Sequence, residues 1–238
     1  MHVELLTVEG VRKSFRALVA VRDVSLEIHS REVLGLIGPN GSGKTTLLNM
    51  IAGTYKPERG KIFFQGRRID GRRPDQICRA GVARTYQQVK PFLNETVHEN
   101  LLLAALHCED LGGSEERVAR ALSVTALESM EGIQVAALPL IHRKRVELAR
   151  ALTTGCKLML LDEPMAGLNP TEVSQFSEII RKINSIGVAV LLIEHVMKAI
   201  MALSNRIVVL DHGEKITEGK PSELANDPKL ARVYMGTE

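Results

Sequence analysis

Residues 38–45 read Gly38-Pro39-Asn40-Gly41-Ser42-Gly43-Lys44-Thr45, which is a complete G-x-x-x-x-G-K-[ST] motif. The motif follows an apolar, β-rich run, Val33–Ile37, and precedes a segment of helical character, Thr45–Ala52. Glycines let successive backbone N–H groups turn inward as a nest for phosphate oxygens, and a helix start directs further N–H groups at the same point. The motif therefore predicts a phosphate-binding loop between a buried strand and a helix, with an ordinary glycine-rich turn as the alternative.

The last residues of this loop carry groups suited to a nucleoside triphosphate and its metal ion. Lys44 would place a positive charge on the β- and γ-phosphates, and the Thr45 hydroxyl can ligate Mg²⁺. The expected ligands are therefore ATP and Mg²⁺. The residues of this segment that we expect to bind the nucleotide are Asn40, Gly41, Ser42, Gly43, Lys44, Thr45 and Thr46.

A second apolar strand ends in two acidic residues. Leu158–Leu161 is followed by Asp162 and Glu163, and Pro164 then stops the strand. Ligands of an open α/β sheet lie at the carboxyl ends of its strands, so the acidic pair is expected beside the phosphate loop. Asp162 would hold Mg²⁺ through water, and Glu163 would orient and deprotonate the attacking water. Taken alone, the pair could equally be a solvated acidic loop.

The composition is that of a globular protein and limits the possible partners. Of 238 residues, 45% are hydrophobic and 25% are charged, with a formal net charge of +3. Aromatic residues make up 3% and tryptophan is absent, which argues against stacking platforms for single-stranded nucleic acid. No basic and apolar leader opens the chain, and the longest apolar stretch, Ile186–Ile193, is too short to span a bilayer. We expect a cytosolic protein that binds no nucleic acid and does not insert into the membrane.

Alternating strand and helix signals predict a mostly parallel sheet with helices on its faces. Before the phosphate loop, two strands, Val3–Glu9 and Ala20–Ile28, flank a short turn. The middle of the chain has helical periodicity in Val97–Leu106 and Glu115–Glu131, with Ser114 as a candidate N-cap. The alternating elements of the last part are predicted at Leu158–Leu161, Glu172–Ser185, Val188–Ile193, Val196–Leu203 and Ile207–Leu210.

These motifs and the segments around them resemble the ATP-binding cassette (ABC) ATPases almost from end to end. Far more residues separate the phosphate loop from the acidic pair than in small nucleotide kinases, and a helical block lies between them. Thr85-Tyr86-Gln87 resembles the Q-loop of that family, and Ala166-Gly167-Leu168-Asn169 resembles its D-loop. Ile193-Glu194-His195 resembles the switch segment, and Phe15 resembles the ring that stacks on adenine. Each match is weak by itself, but their order behind a complete phosphate loop makes the resemblance specific.

The resemblance implies roles for the matched side chains. Gln87 would bind Mg²⁺ and touch a membrane partner, His195 would contact the γ-phosphate, and Phe15 would stack on adenine. The catalytic residues would be Glu163, His195, Gln87 and Lys44. The metal ligands would be Thr45, Gln87 and Asp162. The nucleotide-binding residues would be those of the phosphate loop together with Phe15, Gln87 and His195.

The resemblance also implies a fold and partners. The fold would be an α/β P-loop NTPase of ABC type, with a mostly parallel central sheet, helices on both faces, an N-terminal antiparallel β subdomain and a helical subdomain. Residues 1–238 would form one domain, with the helical subdomain inserted at approximately residues 95–152. The partners would be transmembrane transporter subunits and a second ABC ATPase, and the chain would sit on the cytosolic face of the membrane.

Three stretches resemble one group of cassettes more closely, the ATPase subunits of branched-chain amino acid importers. The stretches are Gly81-Val82-Ala83-Arg84-Thr85-Tyr86-Gln87, Thr96-Val97-His98-Glu99-Asn100-Leu101 and Ala166-Gly167-Leu168-Asn169-Pro170. The ending Val233-Tyr234-Met235-Gly236 fits the same group. ATPases of lipid-type exporters share several of these features and are the alternative.

One motif departs from the family pattern. The family's Leu-Ser-Gly-Gly-Gln signature corresponds here to Leu138-Pro139-Leu140-Ile141-His142. In the family two cassettes pack head to tail, and each signature closes the other's ATP site with a serine hydroxyl and bare glycine backbone. Pro139 has neither hydroxyl nor N–H, and Leu140 and Ile141 add bulk. Asn169, where many cassettes have Asp, keeps the hydrogen bonding, so no loss is expected from it.

The altered signature has two explanations. It is a divergent helix start in which His142 or Arg143 partly replaces the lost contacts, or it marks an asymmetric dimer. In the asymmetric dimer, which we favour, this chain's complete motifs pair with the intact signature of a different cassette. A nucleotide-binding regulatory subunit with little turnover is a further alternative. A DNA- or ribosome-acting ABC ATPase would call for coiled-coil arms or two cassettes, and the sequence has neither.

Overall fold

The central sheet has six strands and places the phosphate loop at its middle. The computed structural model describes residues 4–85, 91–108, 113–225 and 227. The strand order is β10-β9-β3-β8-β7-β6, parallel throughout except for β10, which runs antiparallel to β9. In that order the strands are Glu214–Gly219, Arg206–Asp211, Val33–Ile37, Ala189–Ile193, Leu158–Asp162 and Val82–Arg84.

The three middle strands are buried on both faces, because each face is covered. Every residue of β3, β7 and β8 is buried, which explains their uninterrupted apolar sequences. Alternate residues serve opposite cores: Leu34 and Leu36 pack toward α1 (Lys44–Ile51) and the N-terminal strands, whereas Ile37 packs on the other side. The helices on that second side are α6 (Pro170–Ser185) and α7 (Met197–Leu203). The predicted α/β architecture with helices on both faces is confirmed.

A four-stranded antiparallel sheet, ordered β2-β1-β4-β5, forms the N-terminal part. Its strands are β1 (Glu4–Phe15), β2 (Leu18–His29), β4 (Arg59–Phe64) and β5 (Arg67–Arg68). The first two strands run further than the sequence predicts, because charged residues that interrupt the apolar pattern still pair across the ladder. Their last register pair brings Phe15 opposite Leu18 at the turn. A short helix, α2 (Pro74–Ala80), follows β5.

Three helices build a separate apolar core beside the central sheet. They are α3 (Val97–Leu106), α4 (Ser114–Thr125) and α5 (Leu140–Thr153), and their shared core includes Leu101, Leu122 and Val146. The bounds of α3 are those predicted. The prediction for α4 is wrong at both ends: Gly113 rather than Ser114 is the N-cap, and the helix stops at Thr125 because Ala126 adopts φ 54°.

The last helix among the described residues is the short α8 (Pro221–Leu224). None of the helices among the described residues combines the length and apolarity needed to cross a membrane. The division into one domain with residues 95–152 as an inserted helical subdomain stays a prediction.

Candidate nucleotide-binding site

Three neighbouring strands end at the same edge of the central sheet and deliver the candidate residues. The phosphate loop leaves β3, Asp162 closes β7 and is followed by Glu163, and Glu194 and His195 follow β8. Since β8 lies between β3 and β7, the three sets of side chains are adjacent. This is the edge at which parallel α/β sheets bind ligands.

The phosphate loop depends on glycine at two close approaches. A Cβ atom at Gly38 would lie 2.0 Å from the Leu210 carbonyl oxygen, and one at Gly43 would lie 2.3 Å from that of Ala20. Gly43 also has φ 98° and is the N-cap of α1, with no described side chain capping the helix. The first-turn N–H groups are therefore available to phosphate oxygens, as the motif predicts.

Lys44 lies inside the loop. Its Nζ donates to the carbonyl oxygens of Gly38 and Pro39, each at 2.8 Å, and the residue is buried. Burial lowers the pKa of Lys44, while Glu163 and Asp162 oppose that shift. The ammonium thus closes the loop on itself and lies where a phosphate would find it.

Asp162 joins the loop helix to the acidic pair. Thr45 Oγ1 donates to Asp162 Oδ1 at 3.4 Å, and Arg84 binds Asp162 Oδ2 at 3.3 Å. Burial raises the pKa of Asp162, Arg84 opposes the shift and Glu163 adds to it. The hydroxyl and the carboxylate are hard oxygen donors, and two protein ligands suit Mg²⁺, which keeps water and phosphate oxygens as its remaining ligands.

The third expected metal ligand, Gln87, lies outside the described residues, as does Tyr86 beside it. Within the described ranges, no cluster of three or more histidine, cysteine or acidic residues is arranged to hold a metal ion. The Thr45 hydroxyl and the Asp162 carboxylate fit an Mg²⁺ ion that is bound together with a nucleotide.

Glu163 and His195 face each other. His195 Nε2 lies 2.9 Å from Glu163 Oε1, and the two side chains are 42% and 22% exposed. His195 is therefore not a core histidine. Glu163 adopts φ 49°, and its N–H donates to the Ile193 carbonyl oxygen at the end of β8. An uncommon backbone conformation of this kind in a non-glycine residue costs energy and is found most often at functional sites.

Glu194 holds the backbone beside the Glu163–His195 pair through hydrogen bonds. Its carboxylate accepts hydrogen bonds from the backbone N–H groups of Met165 at 2.6 Å and His195 at 3.1 Å. Burial raises the pKa of Glu194, and these backbone donors oppose the shift. Glu194 thus ties the segment after β7 to the segment after β8.

Phe15 lies at the turn between β1 and β2, with 39% of its surface exposed. Tyr55 packs edge-on against it, with ring centroids 5.1 Å apart, and Lys13 Nζ lies 5.6 Å from the centre of the Phe15 ring. The ring therefore offers a supported apolar surface of the kind that stacks on a base.

The altered signature segment begins α5. Pro139 is its N-cap, Ile141 is buried, and Leu140 is 45% exposed. Arg143 turns back onto its own segment, with Nε donating to the Leu138 carbonyl oxygen at 2.7 Å and Nη2 donating to that of Ala136 at 2.6 Å. Burial lowers the pKa of His142, which disfavours the positively charged form of its imidazole.

Asn169, in the segment that resembles the D-loop, caps a helix. Its side-chain oxygen accepts from the Glu172 N–H at 3.0 Å, and the Glu172 carboxylate accepts from the Asn169 N–H at 2.9 Å. This capping box starts α6, so the amide is engaged within its own chain.

A family model described as ABC transporter matches residues 21–166, more than half of the chain. The chain belongs to the ABC transporter family. Its members are ATP-hydrolysing transport ATPases, so this cassette is an ATP-binding, ATP-hydrolysing subunit of an ABC transporter.

Relatives of this ABC cassette cover it almost completely. The high-affinity branched-chain amino acid transport ATP-binding protein LivG of Salmonella typhimurium is 39% identical over 99% of both chains. The lipopolysaccharide export system ATP-binding protein LptB of Acidithiobacillus ferridurans is 36% identical over 99% of this chain and 98% of that protein. The ADP conformation of MJ1267, an ATP-binding cassette of an ABC transporter, superimposes with a TM-score of 0.89 at 28% identity, over 99% of this chain and all of that one. These likenesses confirm the predicted ABC ATPase fold.

The structure adds four residues to which the sequence assigned no role in the ABC cassette. They are Arg84, Asn49, Tyr55 and Glu194. Arg84 and Glu194 each carry a charge at the carboxyl end of an apolar strand, a signal that could have marked them. Asn49 and Tyr55 have no such signal, because only the folded chain brings them beside Arg84 and Phe15.

Proposed function

We propose that this chain is the cytosolic ATPase of a transporter that imports branched-chain or related amino acids, and that it works in a heterodimer with another cassette. The observation that carries the substrate class is the 39% identity to LivG across 99% of both chains. The motif stretches that resemble amino acid importers support the same reading.

The arrangement suggests how this chain's residues would act on ATP. Phe15 would stack on adenine, while the phosphate loop, including Asn40 and Thr46, would surround the phosphates. Lys44 Nζ would exchange its two carbonyl partners for the β- and γ-phosphates. Thr45 and Asp162, with Gln87, would hold Mg²⁺, which when bound neutralises the charge that develops on the phosphates.

Glu163 is the proposed general base. Its Oε1 would accept a proton from the water that attacks the γ-phosphorus. His195, whose Nε2 lies 2.9 Å from that oxygen, would contact the γ-phosphate and help to fix the water. The bond that breaks joins the γ-phosphorus to the bridging oxygen, so the products are ADP and phosphate. ATP binding would close the cassette pair and hydrolysis would reopen it.

The membrane subunit is proposed to dock beside residues 86–92. A cleft of about 290 Å³ lies between the central sheet and the α3–α5 layer, and its lining includes Thr85, Ala104 and Arg150. Phe92 is 50% exposed and lies 5.1 Å from the Arg150 guanidinium. Leu93 is 46% exposed at the same place. Phe92→Ala should uncouple transport while ATP binding is kept, and unchanged transport would refute this placement.

Three features of the signature segment favour a heterodimer. Pro139 has no N–H to offer a partner's γ-phosphate, and Leu140 exposes a bulky side chain where close approach is needed. Arg143 uses two of its nitrogens on its own backbone. Burial lowers the pKa of His142, which disfavours a positive charge on its imidazole. The hydroxyl that the family takes from its signature serine has no equivalent at Pro139, so we expect the partner's own site to hydrolyse poorly.

The deciding experiment is Mg²⁺-ATP hydrolysis by the purified chain alone and mixed with the cassette encoded beside it. Little activity alone, strong activity in the mixture and loss of that activity with Glu163→Gln would support one working site in an asymmetric dimer. Full activity alone would overturn the asymmetry. Little activity in every mixture would instead favour a regulatory subunit.

The function that competes with amino acid import is lipid export, since LptB is nearly as similar to this chain as LivG is. Uptake of radiolabelled leucine by cells that carry or lack this chain separates the two. Loss of uptake with Glu163→Gln, together with an intact lipid envelope, supports import. Unchanged uptake with accumulation of lipid on the inner side supports export.

A further inference from the structure

Four side chains form a closed ring around the acidic residue of the candidate metal site, and two of them, Asn49 and Asp162, are buried. Thr45 Oγ1 donates to Asp162 Oδ1, Arg84 Nη2 donates to Asp162 Oδ2, and Arg84 Nη1 donates to Asn49 Oδ1. Thr45 and Asn49 lie four residues apart on α1, so the helix itself closes the ring. Strands β6 and β7, which pair with each other, supply Arg84 and Asp162.

Asp162 and Arg84 lie in the interior of the protein, so the Asp162 carboxylate needs a counter-charge. The side chains of Asp162 and Arg84 are 4% and 11% exposed. A carboxylate in such a place stays ionised only when a cation and hydrogen bonds compensate for the loss of water. Arg84 is the cation in contact with Asp162 in the described residues. The guanidinium therefore supplies the counter-charge for the Asp162 carboxylate.

The ring also fixes the orientation of the carboxylate. The terminal torsion of aspartate is broad, so an isolated Asp162 could turn either oxygen toward Thr45. Arg84 binds Oδ2 and leaves Oδ1 on the side of the Thr45 hydroxyl. Asn49 in turn holds the guanidinium from α1, the helix that carries Thr45.

We propose that Arg84 is a positioning residue for the Mg²⁺ site, holding Asp162 with Oδ1 turned toward Thr45 so that metal–nucleotide meets a preorganised ligand. The inference rests on the proposed assignment of Thr45 and Asp162 to Mg²⁺. A residue with a purely structural role would instead stabilise the junction of β6, β7 and α1 without changing metal affinity. Removal of groups that orient a metal ligand lowers metal affinity by about 10–100-fold.

The test measures metal binding directly, with the full-length chain and Mn²⁺ as a spectroscopic substitute for Mg²⁺. Mn²⁺ affinity in the presence of ATP is followed by electron paramagnetic resonance, and binding of a fluorescent ATP analogue is followed in EDTA. Arg84→Met should weaken Mn²⁺ binding by about 10–100-fold while leaving binding of the analogue in EDTA within about twofold. Arg84→Lys, which keeps the charge but not the two-pronged geometry, should weaken Mn²⁺ binding to an intermediate extent.

The matched control is Arg206→Lys, which disturbs another partly buried ion pair, to Glu32, away from the site. It should leave Mn²⁺ affinity within about twofold. If Arg84→Met fails to fold, Arg84→Lys decides the matter. Mn²⁺ affinity within about twofold of wild type in a folded Arg84 variant overturns the proposal. Asp162→Asn distinguishes failure of this proposal from failure of the metal assignment on which it rests. Unchanged Mn²⁺ affinity in Asp162→Asn would refute the assignment of Asp162 to the metal ion.

Discussion

Replacement of Gly43 by alanine should destabilise the chain through one backbone clash. Gly43 has φ 98°, and an added Cβ would lie 2.3 Å from the Ala20 carbonyl oxygen on β2. An alanine in a left-handed conformation costs about 1–2 kcal/mol, of which about 0.4–1 kcal/mol is regained from the stiffer unfolded chain. The clash adds about 1–3 kcal/mol, because the close atom belongs to the backbone of β2 and not to the end of a flexible side chain.

Two other glycines isolate the clash. Gly41 and Gly66 also have positive φ, 82° and 72°, but no described atom lies within 4 Å of a Cβ placed at either. Urea denaturation without nucleotide should give Gly43→Ala a free energy of unfolding about 1–3 kcal/mol below that of Gly41→Ala or Gly66→Ala. Each kcal/mol corresponds to about 2–4 °C in Tm for a chain of this size. Equal values for all three variants would refute the argument that close approach to β2 is what requires glycine at 43.

Three further outcomes are expected. Glu163→Gln should lower kcat of the working site by about 10²–10⁴ with ATP affinity kept, and a rate within about threefold of wild type would exclude Glu163 as the base. Phe15→Ala should weaken ATP binding by about 1–3 kcal/mol and leave tripolyphosphate binding unchanged, because only ATP carries a base that stacks on the ring. Phe15→Tyr, which keeps an aromatic ring, should bind ATP as the wild type does. Equal losses of affinity for ATP and tripolyphosphate would show that Phe15 does not stack on adenine. Glu194 has a pKa raised by burial above its ordinary 4.5, so the native state holds an extra proton above that pH and the free energy of unfolding falls as pH rises through the raised pKa. Glu194→Gln should lack this part of the fall in denaturation curves taken across that range, and identical slopes would contradict it.

Elements whose pattern is local could be predicted from the sequence. β3 and α3 have their predicted bounds because one is an uninterrupted apolar run and the other begins with a capping box at Thr96 and Glu99. The end of α4 could not be predicted from the sequence, since Ala126 adopts a left-handed conformation that alanine rarely prefers. Tertiary packing around Leu127, which is buried, overrides the local preference there.

In the candidate site, too, the residues of a contiguous motif could be predicted from the sequence, and those brought together only by folding could not. The phosphate loop is a contiguous motif, so its residues and their conformation follow from eight letters of sequence. The Arg84–Asp162 pair joins residues 78 positions apart, and Asn49 completes it from a third element. Neither spacing nor residue type reveals such a pairing, because it depends on which strands become neighbours.

The position of β8 in the sheet has a consequence for synthesis of the chain. β8 lies between β3 and β7 although it is made after both. A nascent chain that ends before residue 189 therefore has the phosphate loop and the acidic pair but lacks the strand that holds them side by side. The ATP site can assemble only after β8 has left the ribosome, so tight nucleotide capture reports that the middle of the sheet has formed.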